Sequence, residues 1–198
     1  MKHAVIFAHP CARSFTASVA AAYAQAATSL GHTVIQRDLY RLGFDPCLRE
    51  GERAGPGHFH PGEDVRAERE IIGSCDVFAL IYPLWLNAPP AMLKGYLDRV
   101  FGFGFAYGAG GHSYEPLLKG RLLISFTSSG APVAWLQKTG SWNALQVLFD
   151  TYFASLCGMT VAGHVHAGGV TPGASEAFVN ARLQNVRDAV LQHFGSMT

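Results

Sequence analysis

Short apolar runs alternate along this chain with stretches in which apolar residues recur every three or four positions. Residues 4–7 (AVIF) form the first run and stop at Ala8-His9-Pro10. From Ser14 to Leu30, a helical period is kept by Phe15, Val19, Ala22, Tyr23, Ala26 and Leu30, and Gly31 closes that element. Residues 33–36 read as a second strand. Residues 42–62, rich in Gly and Pro, read as a long surface loop, and residues 63–73 as a polar helix. Residues 76–82 (DVFALIY) have the unbroken apolar character of a strand buried on both faces. After the loop 83–90 comes a helix with Met92, Leu93, Tyr96, Leu97 and Val100 on one side. Residues 121–126 (RLLISF) predict a fourth strand and 127–140 a loop. The next helix turns Leu145, Leu148, Phe149, Tyr152 and Leu156 inward. Residues 159–164 predict a fifth strand, and Val179, Leu183, Val186 and Val190 mark a final helix.

Strands that alternate with helices imply right-handed crossovers and a parallel sheet covered on both faces. The expected architecture is a single α/β domain over 1–198, a doubly wound five-stranded sheet in the flavodoxin-like order 2-1-3-4-5. Ligands bind such sheets beyond the carboxyl ends of the strands, at the switch point between the first and third strands. That rule selects the loops 8–16, 83–90 and 127–135.

Their chemistry agrees. The first loop leads Ser14, Thr16 and Ser18 into a helix, with Arg13 alongside, and hydroxyls plus open backbone N–H groups suit a phosphate. The competing reading is that Ser14 or Thr16 simply caps the helix. The second loop, Pro83-Leu84-Trp85-Leu86-Asn87-Ala88-Pro89-Pro90, is stiff and apolar, suited to lie against a flat heterocycle, unless Trp85 merely fills the core. The third, Thr127-Ser128-Ser129-Gly130-Ala131-Pro132, is small and polar and permits close backbone approach to a ligand edge. No Asp or Glu precedes Asp38, none lies between Asp76 and Asp98, and none between Glu115 and Asp150, so all three loops lack a charge that would repel phosphate.

Composition narrows the class. Charged residues make up only 15% against 49% hydrophobic, so part of the surface is expected to be covered, most simply by a second copy of the chain. A net charge of +1 with no basic run argues against nucleic acid or an anionic membrane as partner. No secretory signal or bilayer-length apolar stretch is evident, and Cys11, Cys47, Cys75 and Cys157 show no metal-ligand spacing, so they read as reduced thiols of a cytoplasmic protein.

The segment FAHPCARSFTASVA resembles the AH-x(4)-SFN segment of the flavodoxin-like NAD(P)H:quinone oxidoreductases, the group that includes DT-diaphorase and bacterial quinone reductases. YPLWLNAPPAMLKGYLDRVFGFGFAY resembles their PL-x-W-F…LKG…RV-F…FAY segment without a gap, and LLISFTSSGAP occupies the place of their Ser/Thr/Gly stretch. The resemblance covers most of residues 3–165. It implies that His9, Ser14, Phe15 and Thr16 hold the phosphate and ribityl end of a flavin. Pro83, Leu84, Trp85, Leu86 and Asn87 would line one side of the ring, with Thr127, Ser128, Ser129 and Gly130 on its other edge. Tyr107 would reach across a homodimer interface to shape the acceptor pocket, with Trp135 nearby. The implied activity is ping-pong hydride transfer from NAD(P)H through the flavin to a quinone, with azo and nitro compounds as alternative acceptors; the flavin carries the chemistry and no side chain is singled out as catalytic.

This chain departs from the family pattern in three places: Thr16 stands for Asn, Leu86-Asn87 for Trp-Phe, and a Tyr/His relay of vertebrate members falls on Trp135 and on Gly140 or Ser141. A chain end soon after the fifth helix favours FMN over FAD. Two other functions compete: an electron carrier, disfavoured by the charge of +1, and a flavin-binding ancillary subunit. No metal site is expected. His58-Phe59-His60 reads as a solvated loop, His164 and His166 as structural or surface residues at a strand end, with a pocket contact as the alternative, and Cys11 as packing. The aromatic and glycine-rich run 101–107 reads as a shaped loop at a pocket or interface.

Overall fold

The computed structural model describes residues 1–54, 59–110 and 113–196. Its central sheet is built from β1 (Lys2–Phe7), β2 (Thr33–Asp38), β3 (Val77–Pro83), β6 (Leu122–Ser129) and β7 (Thr160–Gly168). All neighbours are parallel, in the order β2-β1-β3-β6-β7. A two-stranded antiparallel hairpin, β4 (Tyr107–Gly110) with β5 (Ser113–Pro116), is inserted before β6. With the hairpin set aside, the sheet has the expected doubly wound order.

Strand periodicity sorts side chains between two layers. Val77, Ala79 and Ile81 of β3 pack with α1 (Phe15–Ser29) and α7 (Glu176–Phe194). Phe78, Leu80 and Tyr82 pack on the opposite face, with α2 (Glu63–Ile72), α3 (Ala91–Val100) and α6 (Phe153–Cys157). Burial on both faces is why β3 reads as an uninterrupted apolar run.

Four expectations change. First, the strand after residue 121 runs on to Ser129, and α4 (Val133–Lys138) occupies much of the segment expected as loop. Second, part of the 42–62 segment is core: Glu52, in a short 3₁₀ turn (Glu50–Glu52), is buried against Arg99. Arg99 Nε and Nη2 donate to the two Glu52 carboxylate oxygens at 2.7 Å each, and Nη1 donates to Asp64 at 2.8 Å and to the Asp45 carbonyl at 2.5 Å. Gly95 of α3 leaves no room for a side chain against the Pro46 carbonyl, so the loop closes tightly on that helix. His58 lies outside the described residues.

Third, the 141–157 helix is not continuous. It comprises α5 (Ser141–Leu145), a wide π-helical turn (Gln146–Tyr152) and α6. Each wide turn takes up one residue more than an α turn and rotates the remainder of the helix about its axis. Leu145 is buried as expected, but Leu148 and Tyr152 are 56% and 64% exposed, and Asp150 takes the inward position instead. Fourth, β7 extends to Gly168, which moves His164 and His166 from a strand end into its interior.

Candidate active site

The segment after β1 turns into α1 at Ser14. Ser14 Oγ accepts a hydrogen bond from Ala17 N at 3.2 Å, so this residue does cap the helix, while its hydroxyl proton stays available to a ligand. The first-turn N–H groups of a helix have no intrahelical partner and carry the positive end of its dipole. Thr16 is buried and Phe15 half-buried against the α1–α7 layer. His9 Nδ1 lies 3.1 Å from Cys11 N and 3.3 Å from the Cys11 carbonyl oxygen, so that one ring nitrogen is engaged by the backbone of its own loop. Cys11 is exposed, so it does not serve packing.

Beyond β3, Trp85 and Ala88 exchange backbone hydrogen bonds of 3.1 Å in both directions across a two-residue turn. Leu86 and Asn87 at its tip have φ of 54° and 59°, the left-handed region that L side chains avoid. Such residues cost of order 1–3 kcal/mol each and persist where the surroundings over-determine them. Leu86 is fully exposed and Trp85 44% exposed, so Trp85 is not a core filler. Asn87 Nδ2 donates to the Ser141 carbonyl at 2.9 Å, while its Oδ1 is buried without a partner among the described residues. Pro83 is buried at the end of β3.

The first two segments meet where His9 and Trp85 rings lie 5.8 Å apart. The second meets the third where Leu84 N donates to the Ser128 carbonyl at 2.7 Å. A cavity along this rim, between α1 and α7, is lined by Phe15, Thr16, Thr127, Ser128, His166 and Arg182. The Arg182 Nε is buried there with no hydrogen-bond partner among the described residues. Gly130 is exposed beside the end of β6, where a side chain would meet the Val170 carbonyl oxygen at an ordinary contact distance of 3.9 Å. Thr127, Ser128 and Ser129 lie at the strand end rather than in a loop, and the hydroxyls of Thr127 and Ser129 are already engaged.

They are engaged by β7. Ser125 Oγ donates to Asp150 at 3.0 Å, and Asp150 accepts from His164 Nδ1 at 2.6 Å. His164 Nε2 lies 2.7 Å from Thr127 Oγ1, and the same hydroxyl lies 2.8 Å from His166 Nδ1. His166 Nε2 is 3.0 Å from Ser129 Oγ, which donates to the Ala131 carbonyl at 2.8 Å. Trp142 covers both imidazoles, with ring centroids 4.7 and 5.2 Å away. Burial, and next the neighbouring His164, hold His166 down at about 4. The acid-free character of the loops therefore does not extend beneath them: folding brings Asp150 under β6.

Sequence reasoning misses this chain of side chains. Its signal is the period-two placement of Ser125, Thr127 and Ser129 in a strand that begins apolar, matched by His164 and His166 in the next. Tyr107 lies elsewhere, beside Tyr114 at a 5.1 Å centroid distance, in an apolar groove with Leu97, Phe101, Leu148 and Tyr152. Trp135 stands exposed on α4. Among the described residues no group of three or more His, Cys, Asp or Glu side chains could hold a metal ion, and no helix is long and apolar enough to cross a membrane.

A family model described as a flavodoxin-like fold matches residues 1–193. The chain is similar to an uncharacterised NAD(P)H oxidoreductase of Haemophilus influenzae, 35% identical over 160 residues that cover 80% of this chain and 79% of that protein. It is also similar to the solved NAD(P)H:quinone oxidoreductase from Methanothermobacter marburgensis, at TM-score 0.77 and 31% identity over 98% of both chains. An FMN-dependent NADH-azoreductase from Bacillus anthracis, solved in complex with FMN, shares the fold at TM-score 0.73 and 18% identity, covering 96% of this chain and 98% of that one.

Proposed function

The chain belongs to the flavodoxin-like family of NAD(P)H:quinone oxidoreductases, and on that premise we propose how its own residues serve the activity. It is a flavin-dependent oxidoreductase that moves electrons from NAD(P)H to quinone-type acceptors, with azo compounds as a related class. The flavin, when bound, takes the hydride and passes two electrons on; the protein binds, orients and excludes water.

The observation that carries this reading is the junction of three chain segments, distant in sequence, on the carboxyl rim at the switch point of the sheet. The first turn of α1, with Ser14 and Thr16, would hold the phosphate, and the His9 ring would add a further polar contact. Arg182, half-buried and with its buried Nε unpartnered among the described residues, adds the positive charge that an anionic cofactor needs. The strained turn at Leu86 and Asn87 holds Trp85 and Leu86 out of the core, where apolar surface can lie along a flat ring. Ser128 and Gly130 would approach its far edge, while Thr127 and Ser129 act through the histidines behind them.

FMN is the favoured flavin, the one held by the Bacillus anthracis neighbour. A second copy of the chain would cover the groove around Tyr107, whose rim includes exposed Leu148 and Tyr152, so that Tyr107 borders the partner's acceptor pocket. The four cysteines are free, as in a reducing cytoplasm, and the whole chain is read as one domain.

The test is direct. The purified protein should be yellow, mass spectrometry of the released cofactor should find FMN, and NAD(P)H oxidation should occur with a quinone, nitro or azo acceptor. Ser14→Glu, which sets a carboxylate against the phosphate, should abolish flavin retention. Full occupancy in that variant would refute the placement, and absence of turnover with every acceptor would refute the activity.

A further inference from the structure

The six hydrogen-bond distances running from Ser125 through Asp150, His164, Thr127, His166 and Ser129 to the Ala131 carbonyl need six hydrogens. With both imidazoles neutral the participating side chains supply only five, one each from Ser125, His164, Thr127, His166 and Ser129. The deficit falls at Ser129, whose single proton is claimed by both His166 Nε2 and the Ala131 carbonyl.

One added proton fills every position, and it does so in two arrangements. If His166 is the imidazolium, it donates to Thr127 and Ser129, and Thr127 donates to His164. If His164 is the imidazolium, it donates to Asp150 and Thr127, and Thr127 donates to His166. Only the sense of the two hydrogen bonds at Thr127, to His164 and to His166, separates the two, so the charge can pass between the rings without any heavy atom moving. The inner arrangement sets the imidazolium directly against the Asp150 carboxylate.

We infer that this chain stores one proton beside the cofactor rim and releases it during electron transfer. NAD(P)H supplies a hydride, which is two electrons and one proton; reduction of a quinone to its hydroquinone takes two electrons and two protons. The second proton comes from water, and the chain is built to hold it: its outer member, His166, lines the rim cavity, while its inner end is closed by Asp150 and roofed by Trp142. Other titratable groups face it. Tyr82 of β3 has a buried hydroxyl without a partner, raised by burial and next by Asp150, and Arg182 of α7 borders the same cavity. Negative charge arriving at the rim draws a proton onto the imidazoles, and its departure frees that proton for the acceptor. His166 is the member that would touch cofactor or acceptor; Thr127, His164 and Asp150 are positioning residues that act through it.

This inference rests on the rim being the flavin site, and the experiment separates the two. The intact flavoprotein is photoreduced by two electrons in weak buffer near neutral pH, and proton uptake is read with an indicator dye. The wild type should take up about two protons, one with the electron pair and one into the chain, and Thr127→Ser, which keeps the hydroxyl, should do the same. His166→Asn and Asp150→Asn, the latter remote from the cavity, should each fall to about one, with visible absorbance reporting retained flavin. A yellow wild type that takes up only about one proton overturns the store and leaves the flavin site standing. Undiminished uptake in both Asn variants also overturns it. A wild type that stays colourless with excess flavin overturns the site itself.

Discussion

Around Arg99 every charge has a partner, whereas along the rim at Asp150 and His166 the hydrogen bonds outnumber the protons. Both clusters lie on the same face of the same sheet, within one core. The Arg99 guanidinium, fully buried, is matched to Glu52 by two parallel hydrogen bonds, to Asp64 and to the Asp45 carbonyl. Nothing there is left for a ligand; the cluster fastens the 45–64 segment to α3. The rim instead keeps Tyr82 Oη, Asn87 Oδ1 and Arg182 Nε without partners among the described residues, and holds two non-glycine residues at positive φ. A satisfied network holds the structure in place, and an unsatisfied one, at the switch point of the sheet, leaves binding capacity for something else.

The contrast can be broken at several levels. Arg99→Met should have the largest effect, because it leaves Glu52 as a buried carboxylate without its cation. Loss of about 3–5 kcal/mol is expected in urea unfolding, with little change in the flavin spectrum below the transition. Acid should separate the clusters next. Burial pushes Glu52 up, but hydrogen bonds from Arg99, and from the Arg49 and Gly62 N–H groups, outweigh it and hold the carboxyl at about 2. Its contribution is therefore complete above its ordinary value of 4.5 and lost as pH falls toward 2. His166, and His3 at the other end of the sheet, behave differently. Burial and a neighbouring imidazole hold each at about 4, so the folded state refuses a proton that the unfolded chain accepts from 6.5 downward. Stability measured by thermal unfolding should thus begin to fall below about 6.5. In His3→Gln this first decline should shrink while the Glu52 decline remains.

Asp150→Asn, which keeps an acceptor oxygen for only one of Ser125 and His164 and removes the charge, should cost less, about 1–3 kcal/mol, with circular dichroism unchanged. The smallest effect should be a gain. Leu86→Gly removes a side chain from a left-handed position and should stabilise the protein by about 1 kcal/mol, while weakening flavin retention. A variant that lost stability instead would show that this turn is not strained.

The sheet order is legible in the sequence because β1, β3 and β6 are buried on both faces, with apolar runs that are unbroken in β3 and extend over the first half of β6. The same rule locates the rim before any side chain is considered. What escapes is chemistry that only tertiary pairing creates. Glu52 and Arg99 lie in segments that look independent, and no local pattern pairs a carboxylate in a Gly/Pro-rich stretch with an arginine on a helix. The run 101–107 reads as an aromatic loop, and strand pairing begins at its last residue, Tyr107. At 3.6 residues per turn the 141–157 helix brings Leu148 and Tyr152 inward; the wide turn overrides that period and substitutes Asp150. His164 and His166 share one face of an extended chain, as their spacing predicts, but their partners on β6 become visible only in register, where Ser125 stands opposite His164 and Thr127 opposite His166.

That wide turn also limits how this segment can vary in length. Substituting Leu148 or Tyr152 alters a surface, but deleting a single residue between 146 and 149 would restore an ordinary helix and swing the carboxylate of Asp150 roughly a quarter-turn away from Ser125 and His164. A one-residue deletion should therefore be harsher than any single exposed replacement there. Insertions and deletions, rather than point changes, are where this helix is brittle.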